Sequence, residues 1–168
     1  TPTDLVFPFF LFAVGNALAF VMPRLRSAGQ AFFWRKVLTR SLLIFIIGLL
    51  LNWSPFFKWS EGHVIFKPFD QLRIMGVLQR IAICYFFASV LVYYMKPRGS
   101  AFAAMVILLL YWAICFAANP ADPYSITGWF GTGIDKMILG ESHMYKGEGV
   151  PFDPEGFMNS FAAIAQVI

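Results

Sequence analysis

The sequence predicts an all-α protein, a polytopic transmembrane helix bundle with four complete spans and the start of a fifth. Hydrophobic residues make up 59% of the 168 residues and charged residues only 13%, whereas soluble domains have about 45 to 50% apolar and about 25% charged residues. The apolar residues form runs of roughly the length that a membrane-spanning helix needs. The basic residues lie in short segments between these runs, so the net charge of +4 indicates membrane topology and not nucleic-acid binding.

The apolar runs divide a single transmembrane domain, 1–168, into its spans. We expect these at about 5–22, 37–53, 74–95 and 101–118, with an incomplete fifth at 157–168. The fourth run has no charged or amide side chain, which is typical of a lipid-facing scaffold helix. Because the fifth run is short and the chain lacks an initiator methionine, we expect a fragment cut at both ends.

The connecting segments predict the orientation. Segments 23–36 and 96–98 carry basic residues and no acid, which places them in the cytoplasm. Segment 54–72 is mixed, and segment 119–156 contains six acids against two lysines, so both are expected outside. The extracytoplasmic loop 119–156 is too long for a plain connection, and it is either functional or poorly ordered.

Arg80 is the most informative residue of the third span. If the span is helical, Arg80 lies about 10 Å deeper than Arg73, and a charge at that depth normally faces a bundle interior or a wet cavity. Arg73, Gly76 and Arg80 would then share one helical face, with Gln79 at its edge. We predict a cavity wall for an anionic or carbonyl-bearing ligand. Alternatively, Arg73 extends to the membrane interface and Arg80 pairs with an acid such as Asp4. We favour this alternative for Arg73, whereas for Arg80 both interpretations remain open.

Other polar residues are also candidates for the cavity. Asn16 lies within the first span, where an interhelical hydrogen bond is favoured over substrate contact, beside a small-residue pair of Gly15 and Ala19. Asp4 is either a helix N-cap or an active carboxylate. His143 is either catalytic or solvated. The histidines lack the spacing to Cys, Asp or Glu that a metal site needs, so we predict no metal.

A basic cluster lies on the cytoplasmic side of the first two spans. It would attract a polyanionic cofactor such as coenzyme A, although membrane topology also explains it. The cluster consists of Arg24, Arg26, Arg35, Lys36 and Arg40.

Three motifs in order carry a resemblance over nearly the whole chain. They are TPTDLVFPFFLF with Gly15, LRIxGVLQRIA at 72–82, and LGxxHxY followed by FDPEG at 139–156. In these motifs the chain resembles the heparan-alpha-glucosaminide N-acetyltransferase family and its bacterial homologues. The resemblance implies a multi-pass enzyme, here of a bacterial inner membrane, that moves an acetyl group from cytosolic acetyl-CoA to the amine of a glucosamine-type sugar outside.

The resemblance also implies residue roles. The family's catalytic histidine sits a few residues before the DLVFP motif, upstream of Thr1, so the chain as it stands is expected to be inactive. Asp4 matches the acidic residue beside that histidine and would assist the general base. Arg80 or Gln79 could donate to the oxyanion if the cavity reaches them.

The expected partners are the lipid bilayer and a small-molecule or glycan amino-sugar acceptor, with no nucleic acid and a homodimer left open. The alternative function is a non-catalytic membrane carrier or binding protein for an anionic sugar or lipid precursor. An upstream histidine would favour the enzyme over the carrier.

Overall fold

The computed structural model describes residues 5–60, 62–147 and 149–168, and it confirms an all-α bundle. Among these residues, four helices are long and apolar enough to cross a membrane, and the protein is an integral membrane protein. The helices are α1 (Val6–Ser27), α2 (Gln30–Trp53), α3 (Val77–Tyr94), α4 (Pro97–Ala118), α5 (Gly131–Leu139) and α6 (Phe157–Val167). A hairpin of β1 (Phe57–Ser60) and β2 (His63–Phe66), which the sequence did not predict, follows α2.

The prediction of a loop at residues 23–36 is wrong, because most of these residues are helical. α1 continues through Pro23 to Ser27, and only Ala28 and Gly29 separate it from α2. Membrane helices tolerate an internal proline where neighbouring groups satisfy the freed carbonyl. Gly29 takes a φ of 91°, which allows the chain to reverse direction at once.

The third span is shorter than predicted. α3 begins at Val77 instead of residue 74. Residues 72–76, which we call the extended segment, lie outside any helix or strand, with Leu72 and Gly76 (φ −164°, ψ −174°) in extended conformations. Tertiary hydrogen bonds hold this segment: the Ile74 N–H donates to the His143 carbonyl at 3.1 Å. The predicted shared helical face of Arg73, Gly76 and Arg80 is therefore wrong. α4 begins earlier than predicted, at Pro97, because proline is favoured in a first helical turn.

The core lies where α6 packs among α1, α3 and α4 and where α2 packs on α3. Gly15 of α1 meets the backbone of Val167 at the end of α6. A β-carbon at Gly15 would overlap the Val167 carbonyl oxygen. The close approach predicted from the small residues is confirmed at Gly15, whereas Ala19 is exposed.

The two ends of the bundle differ. We call the end that carries the hairpin and residues 119–156 the loop end, and the opposite end the turn end. At the loop end, residues 119–147 and 149–156 fold around α5 and bury Trp129, Asp135 and Asp153. This segment is a packed cap over the helix ends, and it carries most of the candidate site.

Candidate functional site

Charged side chains from four separate parts of the chain meet at the loop end. Two arginines come from the extended segment 72–76 and the first turn of α3, and three acids come from α5 and the segment before α6. We call these residues the arginine–carboxylate cluster: Arg73, Arg80, Asp135, Asp153 and Glu155.

Arg73 is held by two carboxylates. Its Nη2 donates to Asp153 Oδ1 at 2.6 Å and its Nε to Asp153 Oδ2 at 3.2 Å, and Nη2 also binds Glu155. The guanidinium lies 4.7 Å from the centre of the Tyr145 ring. Burial lowers the pKa of Arg73, but the hydrogen bonds and charges of the two acids outweigh it and raise the pKa above its ordinary value. The favoured prediction that Arg73 only extends to the interface is therefore wrong, because a fully buried carboxylate needs a cation.

Asp153 also organises the backbone around it. Its Oδ2 accepts from the Tyr145 N–H at 3.3 Å, and its Oδ1 accepts from the Glu155 N–H at 3.2 Å. Its side chain is inaccessible to solvent. Asp153 therefore links the extended segment, the 139–147 region and the entry to α6.

Arg80 holds the start of α6. Its Nη1 donates to the Pro154 carbonyl at 3.0 Å and its Nη2 to the Asn159 carbonyl at 3.5 Å, while the guanidinium lies 4.9 Å from the centre of the Phe7 ring. Among the described residues, its buried Nε has no hydrogen-bond partner and no carboxylate lies within 4.0 Å of the guanidinium. Asp4, its predicted partner, lies outside the described residues. Arg80 thus keeps donor capacity inside the bundle.

Asp135 caps α6 from another element. Its Oδ1 accepts from the Met158 N–H at 3.1 Å, whereas its buried Oδ2 has no hydrogen-bond partner among the described residues. Burial raises the pKa of Asp135 to about 6; the Met158 N–H opposes this shift and the charge of Asp153 adds to it. A carboxylate at a helix N-terminus satisfies free N–H groups there.

Asp135→Asn is expected to stabilise the protein above pH 6. Because the folded state holds the proton more tightly than the unfolded state, whose pKa is near the ordinary 3.8, the free energy of unfolding falls as pH rises from there to about 6. Asparagine removes this cost, at most about 3 kcal/mol, and its oxygen still accepts from Met158. Thermal unfolding in detergent should show a gain at pH 8 that disappears near pH 4. Glu141→Gln, at an exposed position, should show no gain at pH 8, and an equal gain for both variants would contradict the assignment.

A hydrogen-bonded chain of side chains adjoins Arg80. The Trp129 Nε1–H donates to the Tyr111 hydroxyl at 3.1 Å, and this hydroxyl donates to Asn159 Oδ1 at 2.9 Å. Sequence reasoning missed Tyr111, because it treated α4 as a scaffold without polar contacts. The sequence did contain a signal for this contact: Tyr111 is the one phenol in an otherwise apolar run, and a buried Tyr hydroxyl usually has a hydrogen-bond partner.

Gln79 and His143 lie beside the cluster. The Gln79 side chain is fully buried against Gly48 of α2, and its amide has no hydrogen-bond partner among the described residues. His143 Nδ1 lies 2.7 Å from the Leu72 carbonyl, so this ring is held in place rather than free in solvent. The neighbouring Asn52 amide donates to the Arg73 carbonyl at 3.0 Å. The structure therefore brings four predicted residues, Arg73, Arg80, Gln79 and His143, to one end of the bundle.

Other predicted residues lie elsewhere. Asn16 is on the exposed side of α1, so the structure does not bring it into the cavity. Arg26 donates to the Val92 and Met95 carbonyls at 2.5 and 2.8 Å, which caps the end of α3 at the turn end. Arg40 lines an apolar cavity of about 230 Å³ between α1, α2 and α3. The other residues of the predicted basic cluster are exposed at the turn end: Arg24, Arg35 and Lys36. In the described part of the chain no three His, Cys, Asp or Glu side chains are grouped to hold a metal.

The fold and site define the class of the protein as a multi-pass helical membrane protein with a partly buried arginine–carboxylate cluster at one end. Two curated proteins match the chain, the heparan-alpha-glucosaminide N-acetyltransferases of Mus musculus and Homo sapiens, each 27% identical over 98% of this chain. The chain spans about a third of these relatives, 31% of their length. No family model matches the chain. The chain is distantly related to these N-acetyltransferases, as the motif resemblance predicts.

Proposed function

We propose that the protein is a membrane-embedded acyltransferase. It moves an acetyl group from cytosolic acetyl-CoA to the amine of a glucosamine-type sugar on the extracytoplasmic side. The observation that carries the proposal is Arg80, a guanidinium that two backbone carbonyls hold inside the bundle and whose Nε has no partner among the described residues. The distant relationship to proteins named as N-acetyltransferases supports the same reaction class.

The reaction needs a base and an oxyanion donor. The sugar amine must lose a proton as its nitrogen attacks the acetyl carbonyl carbon, after which the carbon–sulfur bond breaks and coenzyme A leaves as a thiolate. The resemblance assigns the base to a histidine preceding Asp4, with the Asp4 carboxylate stabilising its charged form. Arg80 would stabilise the oxyanion, because a preorganised donor in a water-poor site is far more effective than one in water.

Charge at the turn end supports the proposed route of the cofactor. Arg24, Arg35 and Lys36 are exposed there, whereas Arg26 is engaged with the end of α3. Exposed cations beside a membrane raise the local concentration of a polyanion such as coenzyme A. Acetyl-CoA would therefore approach at the turn end and the sugar at the loop end.

Asp4→Asn is expected to lower acetyl transfer by about 10²-fold or more, because it removes the charge that stabilises the protonated base. The assay uses the protein expressed from its complete gene, labelled acetyl-CoA and a panel of amino sugars in detergent. Asp122→Asn changes an exposed acid of the 119–156 segment and should leave the rate unchanged.

Two results would contradict this proposal. Equal loss of transfer in both variants would mean that Asp4 has no specific role. Binding of a sugar without transfer to any acceptor of the panel would favour the carrier function instead.

A further inference from the structure

The hairpin after α2 has one apolar face. β1 and β2 pair antiparallel, with Phe57 opposite Phe66 and Trp59 opposite Val64. Because side chains alternate along a strand, these four residues lie on the same face, and the Phe57 and Phe66 rings are 5.3 Å apart there. Each is 54 to 71% exposed. We call this surface the hairpin apolar face: Phe57, Trp59, Val64 and Phe66.

The opposite face differs in character. It carries Lys58 and His63, with Ile65 as its one large apolar residue. The hairpin is thus amphipathic, although residues 57–59 and 63–66 are exposed. Apart from Trp53 of α2, which lies beside Phe66, no described element covers the apolar face. A free two-stranded hairpin is only marginally stable in water, so a surface that covers the apolar face would also stabilise the fold.

Contacts with Trp53 fix the hairpin beside the end of a membrane span. Trp53, the last residue of α2, lies 4.8 Å from the Phe66 ring and 4.4 Å from the Phe69 ring. Its Nε1–H donates to the Lys67 carbonyl at 3.0 Å. The face that contains Phe66 therefore adjoins the end of α2. Because a span ends at the membrane boundary, this face lies at the level of the lipid headgroups.

The residues near the apolar face suit the headgroup region. Lys67 directly follows β2, and Trp59 is on the apolar face itself. A lysine beside an apolar surface extends its ammonium group towards the lipid phosphates, and tryptophan is favoured at the same depth. Segment 54–72 as a whole contains two lysines and two acids, so its charge does not select one kind of phospholipid.

We propose that the hairpin is an interfacial membrane anchor. Its apolar face lies at the boundary between headgroups and acyl chains of a phospholipid bilayer, and Lys67 lies near the phosphates. This inference goes beyond the proposed acetyl transfer. Since only residues 67–72 join the hairpin to Arg73, the anchor also sets the height of the arginine–carboxylate cluster relative to the membrane surface.

The test places an environment-sensitive probe on each face of the hairpin. Trp59→Cys and Val64→Cys label the apolar face, and Lys58→Cys and His63→Cys are the matched controls on the other face. The parent protein has Cys84 and Cys115 replaced by alanine, and all variants are reconstituted in vesicles of phosphatidylcholine and phosphatidylglycerol. Lipids that carry a spin label near the top of the acyl chain report the contact.

We expect blue-shifted emission and several-fold stronger quenching at positions 59 and 64 than at 58 and 63. Equal quenching on both faces would overturn the proposal. Blue-shifted but unquenched probes at 59 and 64 would also overturn it, because protein, such as a second copy, would then cover the face. Retained helical circular dichroism in all four variants ensures that the comparison concerns folded protein.

Discussion

Arg73→Met is expected to destabilise the protein by on the order of 3 kcal/mol. The substitution leaves the Asp153 carboxylate buried without a cation, although its hydrogen bonds from the Tyr145 and Glu155 N–H groups stay possible. Removing one member of a buried pair costs far more than removing both, because the remaining charge loses its compensation. Unfolding by denaturant in detergent, followed by tryptophan fluorescence, measures the change.

A matched control separates the effect of burial on stability from the effect of ion pairing alone. Lys136 and Glu141 form a second pair at 2.8 Å, with side chains 36 and 61% exposed. Lys136→Met should have no measurable effect, because exposed pairs contribute little. The double variant Arg73→Met with Asp153→Leu should be more stable than Arg73→Met alone. If Arg73→Met and Lys136→Met behave alike, the buried pair does not hold the cap together.

Arg80→Leu is expected to lower the turnover number for acetyl transfer by about 10² to 10³-fold, with a smaller effect on KM. The reason is that the guanidinium would act on the charge that develops in the transition state rather than on the bound substrates. Arg80→Lys keeps the charge but not the planar fork of donors, so an intermediate rate is expected. Kinetics with labelled acetyl-CoA and the best acceptor of the panel measure both variants.

The controls for Arg80 address folding. Arg80 also holds the Pro154 and Asn159 carbonyls at the start of α6, so Arg80→Leu requires a comparison of helical content and thermal unfolding with the parent. Arg98→Leu, at an exposed position in the first turn of α4, should retain the parent rate. A normal rate in a folded Arg80→Leu protein would rule out the oxyanion role.

Hydropathy located the spans well because lipid requires every backbone group to be satisfied within a helix. It located their ends less well, since an apolar run ends where the hydrocarbon ends while the helix continues. α1 runs past Pro23 to Ser27 for this reason. The reverse happened at α3, where hydrogen bonds to Asn52 and His143 hold residues 73 and 74 outside the helix, although the residues themselves are compatible with a helix.

The site was predictable only in part. The depth of Arg80 in an apolar run marked it from the sequence alone. Asp135 lies in α5, a short helix inside a segment that the sequence analysis treated as a long loop, and Asp153 is 80 residues from its partner Arg73. The FDPEG motif contained the signal for Asp153 and Glu155, but pairing over such a separation depends on how the cap packs. Likewise, hydropathy does not tell which side of α1 Asn16 occupies.

The most direct test of the proposed function measures the sidedness of acetyl transfer in sealed vesicles. Labelled acetyl-CoA is supplied on the face of the turn end, and glucosamine is enclosed on the face of the loop end. We predict labelled N-acetylglucosamine inside the vesicles and none when acetyl-CoA and glucosamine are both restricted to the loop-end face. Product formed only when both substrates share one face, or no product with a correctly inserted protein, would contradict acetyl transfer across the membrane.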